Sequence, residues 1–156
     1  MTTAADPAEL RTVVRRTTVG LIIALVVQFL IGMLVNLFVT IPESHPGSQP
    51  TEYFAGSFQS VAWAISSGPG LLVAHTILGL FLAIGSLALL VRIRAVGQRR
   101  LTIAAALGFL FIVGAGFNGA SFLEFNEEFS SMIMATLFAA ALLCYVGILS
   151  WPADAG

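Results

Sequence analysis

Four long apolar stretches dominate the sequence, at residues 19–41, 71–91, 101–123 and 132–151, and no charged residue falls inside any of them. A hydrocarbon core about 30 Å thick takes roughly 20 helical residues to cross, and each stretch meets that length. None alternates as a barrel strand would, and backbone in lipid has to bond within its own segment, so each is expected to be a transmembrane helix. The pattern predicts an all-α fold, an integral membrane four-helix bundle forming one domain over 1–156. Its connections are an N-terminal segment 1–18, an outer loop 42–70, a cytoplasmic link 92–100, an outer loop 124–131 and a tail 152–156. Pro7, Pro42, Pro46, Pro50, Pro69 and Pro152 all lie outside the spans, as expected of a ring that disfavours helix interiors.

The long outer connection holds one more periodic stretch. Over residues 51–67, Phe54, Phe58, Val61, Ala62 and Ile65 recur at helical spacing opposite Glu52, Ser57, Gln59 and Ser60, the signature of an amphipathic helix. Gly68, Pro69 and Gly70 separate it from the second span. It is expected to lie along the outer interface, with Tyr53 and Trp63 at headgroup depth, or to take a partly re-entrant path. It would act as a lid over the bundle or as a gate over a pocket.

Composition narrows the function classes. Of 156 residues, 58% are hydrophobic and only 10% are charged, where a soluble domain carries about 25% charged residues. The net charge is −1 and no lysine is present. The basic footprint of a nucleic-acid-binding protein is therefore missing, and nucleic acid is not expected as a partner. The expected partners are the bilayer itself, further copies of this chain or a larger membrane complex. Cys144 is the single cysteine, which leaves no internal disulfide and no multi-cysteine metal site within one chain.

All seven arginines cluster on one side of the spans. Arg11, Arg15 and Arg16 precede the first, and Arg92, Arg94, Arg99 and Arg100 fill the link between the second and third. The positive-inside rule makes that side cytoplasmic, with both termini inside, as in a multi-pass protein of the bacterial inner membrane. The opening Arg15-Arg16 resembles a secretory signal. The apolar run that follows exceeds the usual length of about 7–15 residues and has no small-residue cleavage site, so an uncleaved signal anchor is expected.

Each span carries small or polar residues at intervals of three or four. They are Gln28, Gly32 and Asn36; His75, Gly79, Ala83 and Ser86; Ala104, Gly108, Ala115 and Gly119; and Thr136, Ala140, Cys144 and Gly147. Such stripes let membrane helices approach closely, and they are expected to face one another. Within the third span, Gly114 to Gly119 matches G-x-G-x-x-G. The dinucleotide fingerprint requires a preceding strand, so here the glycines are assigned to helix packing.

Depth brings four polar residues to one level. His75, Asn36 and Asn118 each sit roughly 6–8 Å below the outer boundary, and Glu124 lies at its edge. This outer-leaflet cluster is the candidate binding site. It serves either as a hydrogen-bonded clasp fixing helix register or as a ligand site or vestibule, because polar intramembrane groups face partners or cavities.

The segment from Ala74 through His75 and Gly79 to Leu82 resembles the haem-ligating helix of b-type membrane cytochromes of the cytochrome b561 kind. In that helix a glycine one turn from the histidine leaves room for the porphyrin. The resemblance implies haem b as cofactor, with His75 as axial ligand and Gly79 beside the ring; His45 would fold inward as second ligand, or His75 would ligate alone or across a dimer. The whole chain also resembles the small uncharacterised four-span proteins of bacteria, which implies no mechanism.

Three functions follow. The first is a non-enzymatic bundle or accessory subunit with a polar outer clasp. The second is an electron carrier using haem at His75. The third is a small transport module in which Glu127 and Glu128 draw cations toward the outer cluster. No nucleophile with an adjacent base supports an enzyme, and no catalytic residue or metal ligand set is assigned.

Overall fold

A computed structural model describes residues 7–126 and 128–150. It contains five helices, α1 (Pro7–Phe38), α2 (Tyr53–Ser66), α3 (Gly70–Val96), α4 (Arg99–Phe125) and α5 (Glu128–Ser150), and no strand among the described residues. Four of them, α1, α3, α4 and α5, are long and apolar enough to cross a membrane. The described residues thus form an all-helical bundle whose four long apolar helices suit a multi-pass membrane protein by length and composition. The expected roles of residues 1–6, of Glu127, of the Glu128 side chain and of the tail from Trp151 lie outside the described residues.

The helices outrun the apolar spans because polar flanks continue the backbone pattern beyond the lipid. α1 begins at Pro7, where a missing N–H costs nothing at a helix start, and carries Arg11, Arg15 and Arg16 within it. α3 ends at Gly97, a left-handed cap with φ 79° that glycine adopts without strain. α4 ends in the same way at Asn126, with φ 53°, one residue beyond Phe125. Glu124 therefore belongs to the last turn of α4, and the expected outer loop 124–131 shrinks to its centre.

Each long helix packs on two others: α1 on α3 and α5, and α4 on α3 and α5. The four form an up-down-up-down ring with α1 across from α4 and α3 across from α5. Along α1 the inward positions are Val14, Thr18, Leu21, Leu25, Gln28, Gly32 and Val35. On α3 they are Leu72, His75, Gly79, Leu82, Ser86, Leu89 and Ile93. Both runs alternate steps of three and four, the seam of antiparallel bundles. The outer faces, including Ile23, Leu37, Phe81, Ile84 and Leu143, are exposed and apolar, as a lipid-facing surface must be.

α5 departs from the expected stripe. Its buried face is Ala141, Tyr145 and Ile148, while Thr136 and Gly147 are exposed. The helix is turned by one residue relative to its small residues because α4 supplies the holes and α5 the knobs. A Cβ on Gly108 would stand 2.7 Å from Tyr145 Cζ, one on Gly114 would stand 3.2 Å from Leu137 Cδ1, and one on Gly119 would stand 3.3 Å from Met134 Sδ. The G-x-G-x-x-G sequence lies inside the unbroken α4, where Gly114 and Gly119 serve packing.

α2 packs on the bundle by its small and hydroxylated face. Gly56, Ser57, Ser60 and Ala64 are buried against α3 and α4, whereas Phe54 and Phe58 are 57% and 78% exposed. The small and hydroxylated side chains allow close approach to the bundle, which bulky phenylalanines on that face would prevent. Glu52 caps its first turn, accepting from the N–H groups of Phe54 at 3.2 Å and Ala55 at 2.6 Å.

Candidate functional site

At the α1–α3 seam the two glycines of the stripes bring a glutamine and a histidine into contact. Gln28 Nε2 donates to the His75 carbonyl at 3.0 Å and lies 3.2 Å from His75 Nε2. The imidazole is seated on Gly32, where a Cβ would fall 2.9 Å from Cε1, and the Gln28 amide is seated on Gly79, where a Cβ would fall 3.2 Å from Nε2. The arrangement is reciprocal: each helix offers a polar side chain to the other's glycine.

The remaining residues of the predicted outer cluster have separate partners. Asn36 Oδ1 accepts from Ser131 Oγ of α5 at 3.4 Å. Asn118 turns back on its own helix, donating to the Gly114 carbonyl at 2.9 Å. Glu124, 2% exposed, accepts from Ser57 Oγ of α2 at 2.5 Å through Oε1, while Oε2 is buried without a partner. No two of His75, Asn36, Asn118 and Glu124 are hydrogen-bonded to each other.

A second constellation forms where the 39–52 connection crosses the end of the bundle away from the arginines, the distal end. His45, Pro46, Gly47 and Ser48 make a tight turn in which the Ser48 N–H donates to the His45 carbonyl at 3.0 Å. Proline and a glycine at φ 91° hold the two central positions, as a type II turn requires. Gly47 packs against Ser60 Oγ and the Gly56 carbonyl, where no side chain would fit. Beyond the turn, the Gln49 N–H donates to the Glu124 carbonyl at 2.9 Å. His45 Nε2 donates to the Leu123 carbonyl at 2.9 Å, and the imidazole stacks on Trp63 at 4.2 Å and 13°. The connection thus covers two carbonyls at the C-terminus of α4 that lack partners within the helix.

Sequence reasoning missed several members of these clusters. Gln28 was visible in a stripe with Gly32, but its partner across the seam was not. Ser57 was visible only as part of the polar face of an amphipathic helix, although a serine pair three apart beside Gly56 is also what a buried packing face looks like. Tyr145 gave no signal in composition. It is fully buried and reaches across the bundle toward Ser86, yet its hydroxyl forms no hydrogen bond of good geometry.

The residues do not fit haem. The space beside Gly79 is filled by the Gln28 amide, and His75 Nδ1 is buried against Gly32. Both ring nitrogens of His45 face carbonyl oxygens, leaving neither for iron. Among the described residues no three His, Cys, Asp or Glu side chains group as metal ligands. The chain matches no protein-family model, no curated protein and no solved structure.

Proposed function

We propose that the chain acts as a non-enzymatic, membrane-embedded helix-packing protein, either on its own or as the accessory subunit of a larger membrane complex. One observation carries this reading: polar side chains, two of them within the bundle and Asn36 at its exposed edge, join one helix to the next. Gln28 ties α1 to α3 through His75, Asn36 ties α1 to α5 through Ser131, and Glu124 ties α4 to α2 through Ser57. Polar groups in lipid are costly unless partnered, and partners drawn from neighbouring helices fix their register. The arginine distribution supports cytoplasmic termini in a bacterial inner membrane. The outward Phe54 and Phe58 support an α2 that sinks into the outer leaflet.

The test is to produce the protein with ample haem, purify it in detergent, and compare wild type with His75→Ala by visible spectrum and thermal unfolding. A colourless protein whose variant melts lower is the expected result. A Soret band that vanishes in the variant, or ion flux in liposomes that depends on His75 or Glu124, would overturn the reading.

A further inference from the structure

We infer that the groove around Arg15 and Arg16 on α1 binds one anionic phospholipid, with its phosphate between the two guanidinium groups and an acyl chain along the same face of the helix. The groove holds about 400 Å³ and is lined by Thr12, Arg15, Arg16 and Val19. Residues three and four apart share a helix face, and this one lies opposite the buried Val14, Thr18 and Leu21. Small-molecule sites span about 300–1,000 Å³, so the space suits a lipid headgroup. The site needs α1 to cross a membrane and is independent of the contacts made by Gln28, His75, Asn36 and Glu124.

Charge selects the occupant. Among the described residues, neither Arg15 nor Arg16 has a hydrogen bond or an ion pair. Glu9 is the one acidic residue described at this end, and it stands about 10 Å before Arg16 along the helix axis. Arg11, four residues before Arg15, adds a like charge at a spacing that destabilises a helix unless it is neutralised. Arg92 of α3 also reaches α1, donating to Thr17 Oγ1 at 3.1 Å. The Thr12 hydroxyl is turned to its own helix, donating to the Ala8 carbonyl at 3.0 Å. The donors left for a ligand in the groove are the two guanidinium forks, whose planar geometry matches the oxygens of a phosphate.

Depth and an apolar continuation favour a lipid over a free anion. Arg15 and Arg16 stand about 4.5–6 Å before Val19 along the axis, and Val19 opens the apolar stretch. The guanidinium groups are thus at the edge of the hydrocarbon, the level of lipid phosphates. Past Val19 the same face runs on through Ile23, Val26 and Leu30, all exposed, in steps of four, three and four. A lipid whose phosphate occupies the groove lays a chain on this apolar lane. α5 provides the contrast at the same end of the bundle: it exposes Leu143 and Val146 but carries no arginine.

An indole placed on the lane reads which lipid lies there. Ile23→Trp, made with Trp63→Phe and Trp151→Phe in the full chain, leaves one tryptophan, and Leu143→Trp in the same background is the control. Each protein is reconstituted into phosphatidylcholine bilayers in which a small fraction of the lipid, either phosphatidylglycerol or phosphatidylcholine, carries brominated chains. From the quenching of Ile23→Trp, phosphatidylglycerol should bind roughly ten-fold more strongly than phosphatidylcholine. Arg15→Gln with Arg16→Gln should bring that ratio near one, where Leu143→Trp stays throughout. Equal quenching by the two lipids at Ile23→Trp, or the same preference at both positions, overturns the proposal without any arginine variant. So does a preference that survives in the arginine variant. A preference abolished by sodium phosphate but not by sodium chloride of equal ionic strength would assign the groove to a free anion and overturn the lipid site. Absence of quenching by either lipid at Ile23→Trp would overturn the membrane placement of α1 and the site with it.

Discussion

The ring of His75 rests on Gly32 with no room for a methyl group between them: a Cβ at Gly32 would stand 2.9 Å from Cε1 and 3.4 Å from Nδ1. A helical Gly→Ala change normally gains up to about 1 kcal/mol. Here it forces the imidazole away from Gln28, and overpacking of this kind costs about 1–3 kcal/mol. Gly32→Ala is expected to lower stability in detergent unfolding. Gly20→Ala and Gly116→Ala, where nothing lies within 4 Å of the added atom, should leave stability unchanged or raise it by up to about 1 kcal/mol. Equal effects at all three positions would show that the seam is not tightly packed.

The Gln28–His75 contact makes a separable prediction. Gln28→Leu, His75→Leu and the double variant form a thermodynamic cycle whose interaction energy should be favourable. Comparable pairs in membrane proteins average about 0.6 kcal/mol and reach about 1.7 kcal/mol. Additive single effects would mean that the contact contributes packing without a specific bond.

What was legible in the sequence divides along physical lines. Four helices, the break at Gly68–Gly70 and the arginine cluster at one end follow from hydropathy and backbone chemistry, which are local, whereas α3 runs on past the expected end at Val91 to its cap at Gly97. The facing of α1 and α3 was also legible, since Gln28, Gly32, His75 and Gly79 shared the seam spacing. The orientation of α5 was not. Small residues mark where a neighbour comes close, but they do not say which helix supplies the hole, and Tyr145 fills the one at Gly108. Periodicity marked the two faces of α2 but did not say which meets the bundle, and it is the face of Gly56, Ser57, Ser60 and Ala64 that is buried. His45 was noticed for its chemistry, whereas its partners, the Leu123 carbonyl and Trp63, are far away in the chain and left no periodic trace.

Tyr145 and Gly108 should respond in opposite directions. Tyr145→Phe removes a buried hydroxyl that lacks a good hydrogen bond. Leaving such a group unsatisfied costs about 1–3 kcal/mol, so the variant should be at least as stable as wild type in reversible detergent unfolding. Gly108→Ala places a Cβ 2.7 Å from Cζ and 2.9 Å from the hydroxyl oxygen of a ring that is fully enclosed. It should destabilise by about 1–3 kcal/mol. A marked loss of stability in Tyr145→Phe would establish that the hydroxyl reaches Ser86 in a true bond.

The depth of α2 is open to direct measurement. Phe58 is the most exposed of its aromatic residues at 78%, on the face opposite Ser57 and Ser60, which are buried against the bundle. If the helix lies in the outer leaflet, that face meets acyl chains. If it rests above the membrane, the same face meets water, an unfavourable place for a phenylalanine pair with Phe54. Phe58→Trp, made together with Trp63→Phe and Trp151→Phe, leaves one tryptophan at this position. Reconstituted into bilayers whose chains carry bromine, it should be strongly quenched and emit toward the blue. Strong quenching by aqueous acrylamide with none by brominated chains would place α2 above the lipid. The serine face would then be explained by packing on α3 and α4 alone.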